Sequence, residues 1–141
     1  MLASGQLRRL PSSASEIERL FKVVERDLSD ARAEEVSADR RFATAYNAAL
    51  QLATLVLRAE GYRTHGTGHH RTTVLALPLV LGSEMTETAD YLDACRSRRN
   101  TVDYDGIGVA TEADVSELIA EAEMLGDVVR RWLAENHPQF S

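Results

Sequence analysis

A cluster of basic residues stands out in this acidic chain, because Arg96, Arg98 and Arg99 fill three of four consecutive positions. Asn100 and Tyr104 follow within five residues. Guanidinium groups bind phosphates through paired hydrogen bonds, and amide and phenol groups can bond to sugars or bases, so the stretch could hold an anionic ligand. It could also be the solvated C-terminal end of a helix, where arginines complement the helix dipole. Spacing and composition alone favour this second interpretation, since charge runs usually face water.

The spacing within this stretch limits the kind of site that it could form. Arg96 and Arg99 are three residues apart, so on a helix they share a face. Arg99 and Tyr104 are five residues apart, which on a continuous helix separates them by roughly 140° around the axis. A site that uses both side chains therefore needs a bent helix end or a second copy of the chain.

A second polar cluster contains His65, His69 and His70, with an arginine on either side. His65 and His69 are four residues apart, a spacing that can bind a metal on a helix. Gly66 and Gly68 disfavour a helix there, and no cysteine or carboxylate lies nearby to complete a ligand shell, so we expect no metal site. A phosphate or ribose contact at the start of the following helix is physically simple, because free backbone N–H groups point there. A solvated, histidine-rich loop is the more ordinary interpretation.

The composition bounds the class of protein. The chain has 141 residues, of which 44% are hydrophobic, enough for one domain with a real core. A net charge of -6 argues against broad non-specific binding to nucleic acid and leaves only local basic patches. The single cysteine, Cys95, the absence of a signal peptide and the short apolar runs together predict a cytoplasmic protein with no membrane span. There is no phosphate-binding loop, nucleophile elbow or Cys-x-x-Cys pair, so we expect no cofactor.

Helical periodicity accounts for most of the chain and predicts the elements that carry these clusters. The predicted helices are residues 15–34, a second capped by Ser37 and ended at Gly61, a third from His69 to Gly82 with a kink at Pro78, a fourth after Ser83 that carries the arginines, and a fifth from Thr111 to Pro138. Short connections favour an all-α, up-and-down bundle of four to five helices over residues 13–137, after a flexible tail at 1–12. The second helix is apolar nearly all round and should be the most buried. The apolar surface of the second, fourth and fifth helices exceeds what we expect one bundle to bury, which predicts a homodimer.

Three segments, taken in order, carry a family resemblance. An alanine-rich helix at 41–49 leads to Glu-Gly-Tyr at 60–62, Gly-His-His at 68–70 opens the next helix, and Arg99-Asn100 precedes Tyr104. In this order and spacing, over roughly residues 15–133, the chain resembles the HEPN domains of bacteria. The resemblance implies a compact bundle of four to five helices that dimerises.

The resemblance also implies an activity. The family hallmark is an arginine, often followed by asparagine, and then a histidine after four to six residues. Active members are metal-independent endoribonucleases, many of them toxins of toxin–antitoxin or defence systems, and their site lies at the dimer cleft. Here the window for that histidine, Tyr104 to Gly106, contains none. Tyrosine has a reference pKa of about 10 and is a poor base, so we expect weak or absent nuclease activity and a cleft that binds RNA or a nucleotide.

The resemblance assigns roles to individual residues. Arg99 would hold a phosphate with help from Arg96, Asn100 would orient Arg99 or bond a ribose, and Tyr104 would stack or donate its hydroxyl. His69 and His70 are further candidates for ligand contact. In some toxin members a nucleotidyltransferase antitoxin modifies a tyrosine near the motif, and Tyr104 is the candidate here.

Two alternatives stay open. The first is an active endoribonuclease in which Tyr104 or Asp105 replaces the missing histidine, with Arg99 and Asn100 completing the site. The second is a structural or partner-binding bundle without a nucleic-acid ligand, in which the arginines only form salt bridges with Asp103 and Asp105.

Overall fold

The computed structural model describes residues 7–9, 12–64, 68–105 and 110–141, with side chains described in all of these except residues 7–9 and 100–105. The helices and strands follow in the order β1 (Leu7–Arg9), α1 (Ala14–Ala31), α2 (Ala38–Ala59), β2 (Tyr62–Thr64), α3 (His69–Leu75), α4 (Leu77–Leu81), α5 (Thr86–Asp105) and α6 (Glu112–Asn136). Short 3-10 turns cover Ser83–Met85 and Pro138–Phe140. The predicted all-α helical bundle is therefore confirmed.

Local capping explains where the long helices begin. The side chains of Ser13 and Ser37 each accept a hydrogen bond from the backbone N–H three residues on, at 3.2 and 3.4 Å. Thr111 and Asp114 form a complete capping box at the start of α6. These bonds satisfy N–H groups that lack a partner within the helix, which favours a start at these positions over neighbouring ones.

The predicted third helix is divided into two. α3 ends at Leu75 and α4 begins at Leu77, because Pro78 lies in the first turn of α4. Proline is tolerated there, where its missing N–H would have no partner anyway, but it cannot continue a preceding helix. The expected kink at Pro78 is thus a break at Ala76, and Gly82, with a φ of +115°, ends α4 as predicted.

A short antiparallel pair of strands joins the N-terminal segment to the bundle. β1 pairs with β2 so that Arg8 lies opposite Arg63. Within the predicted flexible tail over residues 1–12, Leu7–Arg9 therefore form a strand, while residues 1–6, 10 and 11 lie outside the described residues. Three residues are too few to show the alternating pattern of a strand, and their partner lies far along the chain, so no local signal predicts the pairing.

The core is built around α2, which packs against α1, α3, α5 and α6. Thirteen of its residues are buried, including Phe42, Tyr46, Leu52 and Leu55, which confirms that the second helix is the most buried. Each fully buried leucine contributes about 1.5–3 kcal/mol. Alanines at several α2 positions leave room for the neighbouring helices to approach closely. The same helix therefore holds α3 and α5, which carry the polar clusters, against one another.

A buried arginine connects three helices at one end of the bundle. The Nε of Arg41 donates to the Ala31 carbonyl at 2.8 Å, and its Nη1 lies 2.5 Å from Glu112. Only 7% of Arg41 is exposed. The contacts place the end of α1 and the start of α6 beside α2.

The apolar surface is smaller than the sequence suggested. Among the residues with described side chains, the exposed large hydrophobic residues are Leu79 and Met124, 71% and 39% exposed. The argument for a homodimer from excess apolar surface is therefore wrong for this part of the chain, and the dimer stays a prediction on other grounds. In the same part of the chain, no helix is long and apolar enough to cross a membrane.

Candidate functional site

The arginines of α5 pack onto aromatic rings of α2. The guanidinium carbon of Arg98 lies 5.1 Å from the centre of the Phe42 ring, and that of Arg99 lies 5.9 Å from the centre of the Tyr46 ring. Phe42 and Tyr46 are one helical turn apart, so the two consecutive arginines follow one face of α2. A cation over an aromatic face is attracted by the ring quadrupole, which fixes where these guanidinium groups lie.

Arg98 has a structural partner as well. Its Nη2 lies 2.8 Å from a carboxylate oxygen of Asp114, at the start of α6. The bond from Arg98, together with bonds from Thr111, holds the pKa of Asp114 well below its usual range. The structural alternative expected the arginines to pair with Asp103 and Asp105, whose side chains lie outside those described. The described partner of Arg98 is Asp114, and this ion pair joins α5 to α6.

Arg96 belongs to a different group, together with Asp93 and Arg71. The Nε of Arg96 donates to one oxygen of Asp93 at 2.9 Å, and the Nε of Arg71 lies 3.6 Å from the other oxygen. One carboxylate is thus shared by two arginines, one from α3 and one from α5. The group as a whole keeps one positive charge in excess.

This group borders a surface cleft of about 240 Å³, which we call the basic cleft. Its lining residues are Gly68, His69, His70, Arg71 and Arg96. The structure therefore brings together three predicted ligand-binding residues, His69, His70 and Arg96, from two separate segments of the sequence. The side chains of Asn100 and Tyr104, and the whole of His65, lie outside the described residues.

Arg99 lies close enough to the basic cleft to influence it electrostatically. Burial lowers the pKa of His70, and electrostatic interactions with His69, Arg99 and Arg96 lower it further. The ring of His70 is therefore neutral at pH 7, with one nitrogen able to donate and the other able to accept a hydrogen bond. Its ring meets that of His69 edge to face, with 4.2 Å between centroids.

Tyr46 lies beneath this region and is almost completely buried. Burial raises its pKa to about 12 against the opposing effect of Arg96 and Arg99, so the hydroxyl keeps its proton. That hydroxyl has no hydrogen-bond partner among the described residues. A buried hydroxyl without a hydrogen-bond partner is uncommon in folded proteins. Packing between α2 and α5 alone does not explain why a tyrosine, and not a phenylalanine, occupies this position.

The sequence-based prediction missed two residues at the basic cleft. Arg71 and Asp93 were not among the predicted site residues. Asp93, three residues before Arg96, has the spacing of a helical ion pair and could have been found by that signal. Arg71 could not, since its contact with Asp93 crosses between helices. Among the described residues no group of three or more His, Cys, Asp or Glu could hold a metal ion.

Comparison with known families adds a second line of evidence to this geometry. The family model described as SAV_6107-like HEPN matches residues 31–130, which include α2 to α5 and most of α6. Comparison with curated proteins and with solved structures gives no significant match. The match covers well over half of the chain and contains both the histidine cluster and the arginine cluster. This chain belongs to the HEPN domain family.

Proposed function

We propose that this protein binds the phosphate groups of RNA or of a nucleotide in the basic cleft. The observation that carries the proposal is the convergence of His69, His70, Arg71 and Arg96 on one cleft in a chain whose net charge is -6. Because the chain as a whole is acidic, the positive charge of this cleft cannot be explained by the overall amino-acid composition. It acts at short range in physiological salt, where the net charge of the remaining surface is largely screened.

The contacts within the cleft suit a phosphate. Asp93 accepts a hydrogen bond from the Nε of Arg96 and forms a longer ion pair with the Nε of Arg71, and each guanidinium also has two terminal nitrogens that can donate to phosphate oxygens. The carboxylate therefore positions both arginines without using all of their donors. His69 and His70 can add imidazole donors from α3, the helix that also carries Arg71.

Arg99, Asn100 and Tyr104 would complete the site in a homodimer. α5 continues as a helix to Asp105, so Arg99 and Tyr104 diverge by roughly 140° around one axis. This helical separation is the reason for proposing that a two-fold related copy supplies the second of the two residues. Light scattering at high micromolar concentration should give a dimer mass, and a monomer mass would contradict this part of the proposal.

The decisive experiment is a titration of a labelled single-stranded RNA with the wild-type chain and with Arg96→Ala. Loss of one charged hydrogen-bonding group should weaken binding by about 1–3 kcal/mol. The matched control is Arg32→Ala, which also removes an arginine from an ion pair, here 2.9 Å from Glu123 between α1 and α6. Arg32→Ala should leave the affinity unchanged. If the two variants bind RNA equally well, the basic cleft is not the site.

A second candidate function is metal-independent RNA cleavage, and His70 is the observation that favours it. The expected histidine after Arg99 is missing, but a neutral imidazole from α3 lies in a cleft with Arg96 and close to Arg99. A neutral histidine can accept the proton of a ribose 2′-hydroxyl near pH 7, which Tyr104 or Asp105 would do poorly. RNA incubated with the protein and a chelator should then be cleaved, and His70→Gln should abolish cleavage while RNA binding persists.

The family further suggests a place in a toxin–antitoxin or defence system, with a nucleotidyltransferase as antitoxin and Tyr104 as its target. Induced expression of the chain in bacteria should then slow growth. Co-expression of the nucleotidyltransferase should restore the growth of bacteria that express the wild-type chain. A Tyr104→Phe chain cannot be modified, so if it is toxic when expressed alone it should stay toxic on co-expression.

A further inference from the structure

A second cleft lies directly beside the basic cleft and has a different chemistry. It has a volume of about 270 Å³ and lies between α2, β2 and α3. We call it the Tyr62 cleft, after the aromatic residue in its wall. His69 and His70 line both clefts, so the two cavities share one wall.

The Tyr62 cleft combines apolar surface with a single available amide. Leu50 and Leu57 line it although each is almost fully buried, and the half-buried Tyr62 lies beside them. The side-chain amide of Gln51 lines the same cleft and makes no hydrogen bond with any residue whose side chain is described. A nucleobase needs this combination, because its faces stack on apolar and aromatic surface and its edge pairs a donor with an acceptor.

Two arginines that share one carboxylate give the Tyr62 cleft a net positive charge. Arg58 and Arg63 line it, and one oxygen of Glu16 lies 3.1 and 2.6 Å from their terminal nitrogens. Burial alone would raise the pKa of Glu16, but the bond and charge of Arg63 and the charge of Arg58 lower it, so the carboxylate is ionised at pH 7. One positive charge remains in excess, as it does where Asp93 binds two arginines. A strand of RNA that passed through both clefts would therefore meet a basic group at each.

We propose that the Tyr62 cleft holds the base of a nucleotide whose phosphate lies in the basic cleft, with the ribose against the wall formed by His69 and His70. The inference rests on the proposed function, since it places the rest of the ligand relative to the phosphate. It specifies the ligand as a nucleotide with an unpaired base. A base within a duplex cannot enter the cleft without leaving its stack.

The test compares ligands that share a phosphate and differ in the base. Adenosine 5′-monophosphate should bind the wild-type chain roughly 5- to 150-fold more tightly than ribose 5-phosphate, the range expected for stacking of one base. Gln51→Leu should reduce that ratio, because it removes the amide and keeps a side chain of similar size. The matched control is Gln139→Leu, at a cleft on another part of the surface between α1, α6 and the C-terminal turn. Circular dichroism should show that both variants fold.

A third arm separates a free nucleotide from an RNA strand as the ligand. Single-stranded oligoadenylate should compete with adenosine 5′-monophosphate and bind more tightly, while the same strand in a duplex should compete poorly. If the strand binds no more tightly than the mononucleotide, the ligand is the free nucleotide. If ribose 5-phosphate binds as well as the nucleotide, and Arg96→Ala weakens both equally, the base site is wrong and the phosphate site stands. If no phosphate-bearing ligand binds, both proposals are wrong.

Discussion

Replacing Arg99 by alanine should affect both stability and ligand binding, and the structure separates the two effects. The guanidinium lies 5.9 Å from the centre of the Tyr46 ring, and the residue is half-buried. Loss of a cation–π contact of this kind costs about 0.5–2 kcal/mol. For a domain of this size that corresponds to a fall in melting temperature of roughly 2–8 °C. The chain should still fold, since the substitution removes no part of the apolar core.

The effect on binding should be separate and of similar or larger size. If Arg99 holds a phosphate, Arg99→Ala should weaken RNA or nucleotide binding by about 1–3 kcal/mol, the range for hydrogen bonds to charged groups. Arg99→Lys should restore only part of the affinity, because lysine lacks the planar pair of donors. Thermal melts and a binding titration on the same protein preparations provide both readouts.

Arg130 offers a matched control for the stability component. Its guanidinium carbon lies 4.2 Å from the centre of the Phe21 ring, and its Nη2 lies 3.3 Å from Glu25, away from the basic cleft. Arg130→Ala should lower the melting temperature by a similar amount and leave ligand affinity unchanged. If Arg99→Ala gives the same pattern as Arg130→Ala, then Arg99 is a structural residue and its place in the site is wrong.

Three further predictions concern single groups. The pKa of His70 is lowered from 6.5, so as pH falls the unfolded chain takes up this proton before the folded chain does. The free energy of unfolding should therefore drop between pH 7 and the folded-state pKa of His70. Thermal melts should show that His70→Gln makes this pH dependence weaker. Tyr46→Phe removes a buried hydroxyl without a described partner, so it should lower the free energy of unfolding by less than about 1 kcal/mol or increase it. A larger decrease in the free energy of unfolding would show that the hydroxyl makes a hydrogen bond. Burial raises the pKa of Cys95 to about 11, so iodoacetamide should modify the folded chain slowly and the denatured chain quickly; rapid modification of the folded chain would contradict this.

The helical frame could be predicted from the sequence because its signals are local. Ser13, Ser37 and Thr111 mark helix starts through bonds to N–H groups three residues away, and the apolar stripe of α2 predicts its central place. The position of Cys95 in the core follows from the same periodicity, and the residue is 3% exposed. Each of these features is fixed within one or two turns of helix, so no knowledge of tertiary packing was needed.

The site could be predicted only in part, because its contacts cross between helices. The sequence indicated His69, His70 and Arg96 separately, but nothing in it places α3 beside α5. The pairing of Arg98 with Asp114 likewise depends on how α5 meets α6. The strand at Leu7–Arg9 was missed for a related reason, since its partner, Tyr62–Thr64, lies in a distant part of the chain.

Binding of RNA in the basic cleft can be tested directly by mapping ligand contacts with NMR. Backbone amide shifts would be recorded for the isotope-labelled chain as a short single-stranded RNA is added. If RNA binds in the basic cleft, the largest changes should occur at residues 68–71 and 93–99, and Arg96→Ala should suppress them. Changes concentrated instead around Arg130 and Phe140, or no changes at RNA concentrations that saturate a binding assay, would contradict binding in this cleft.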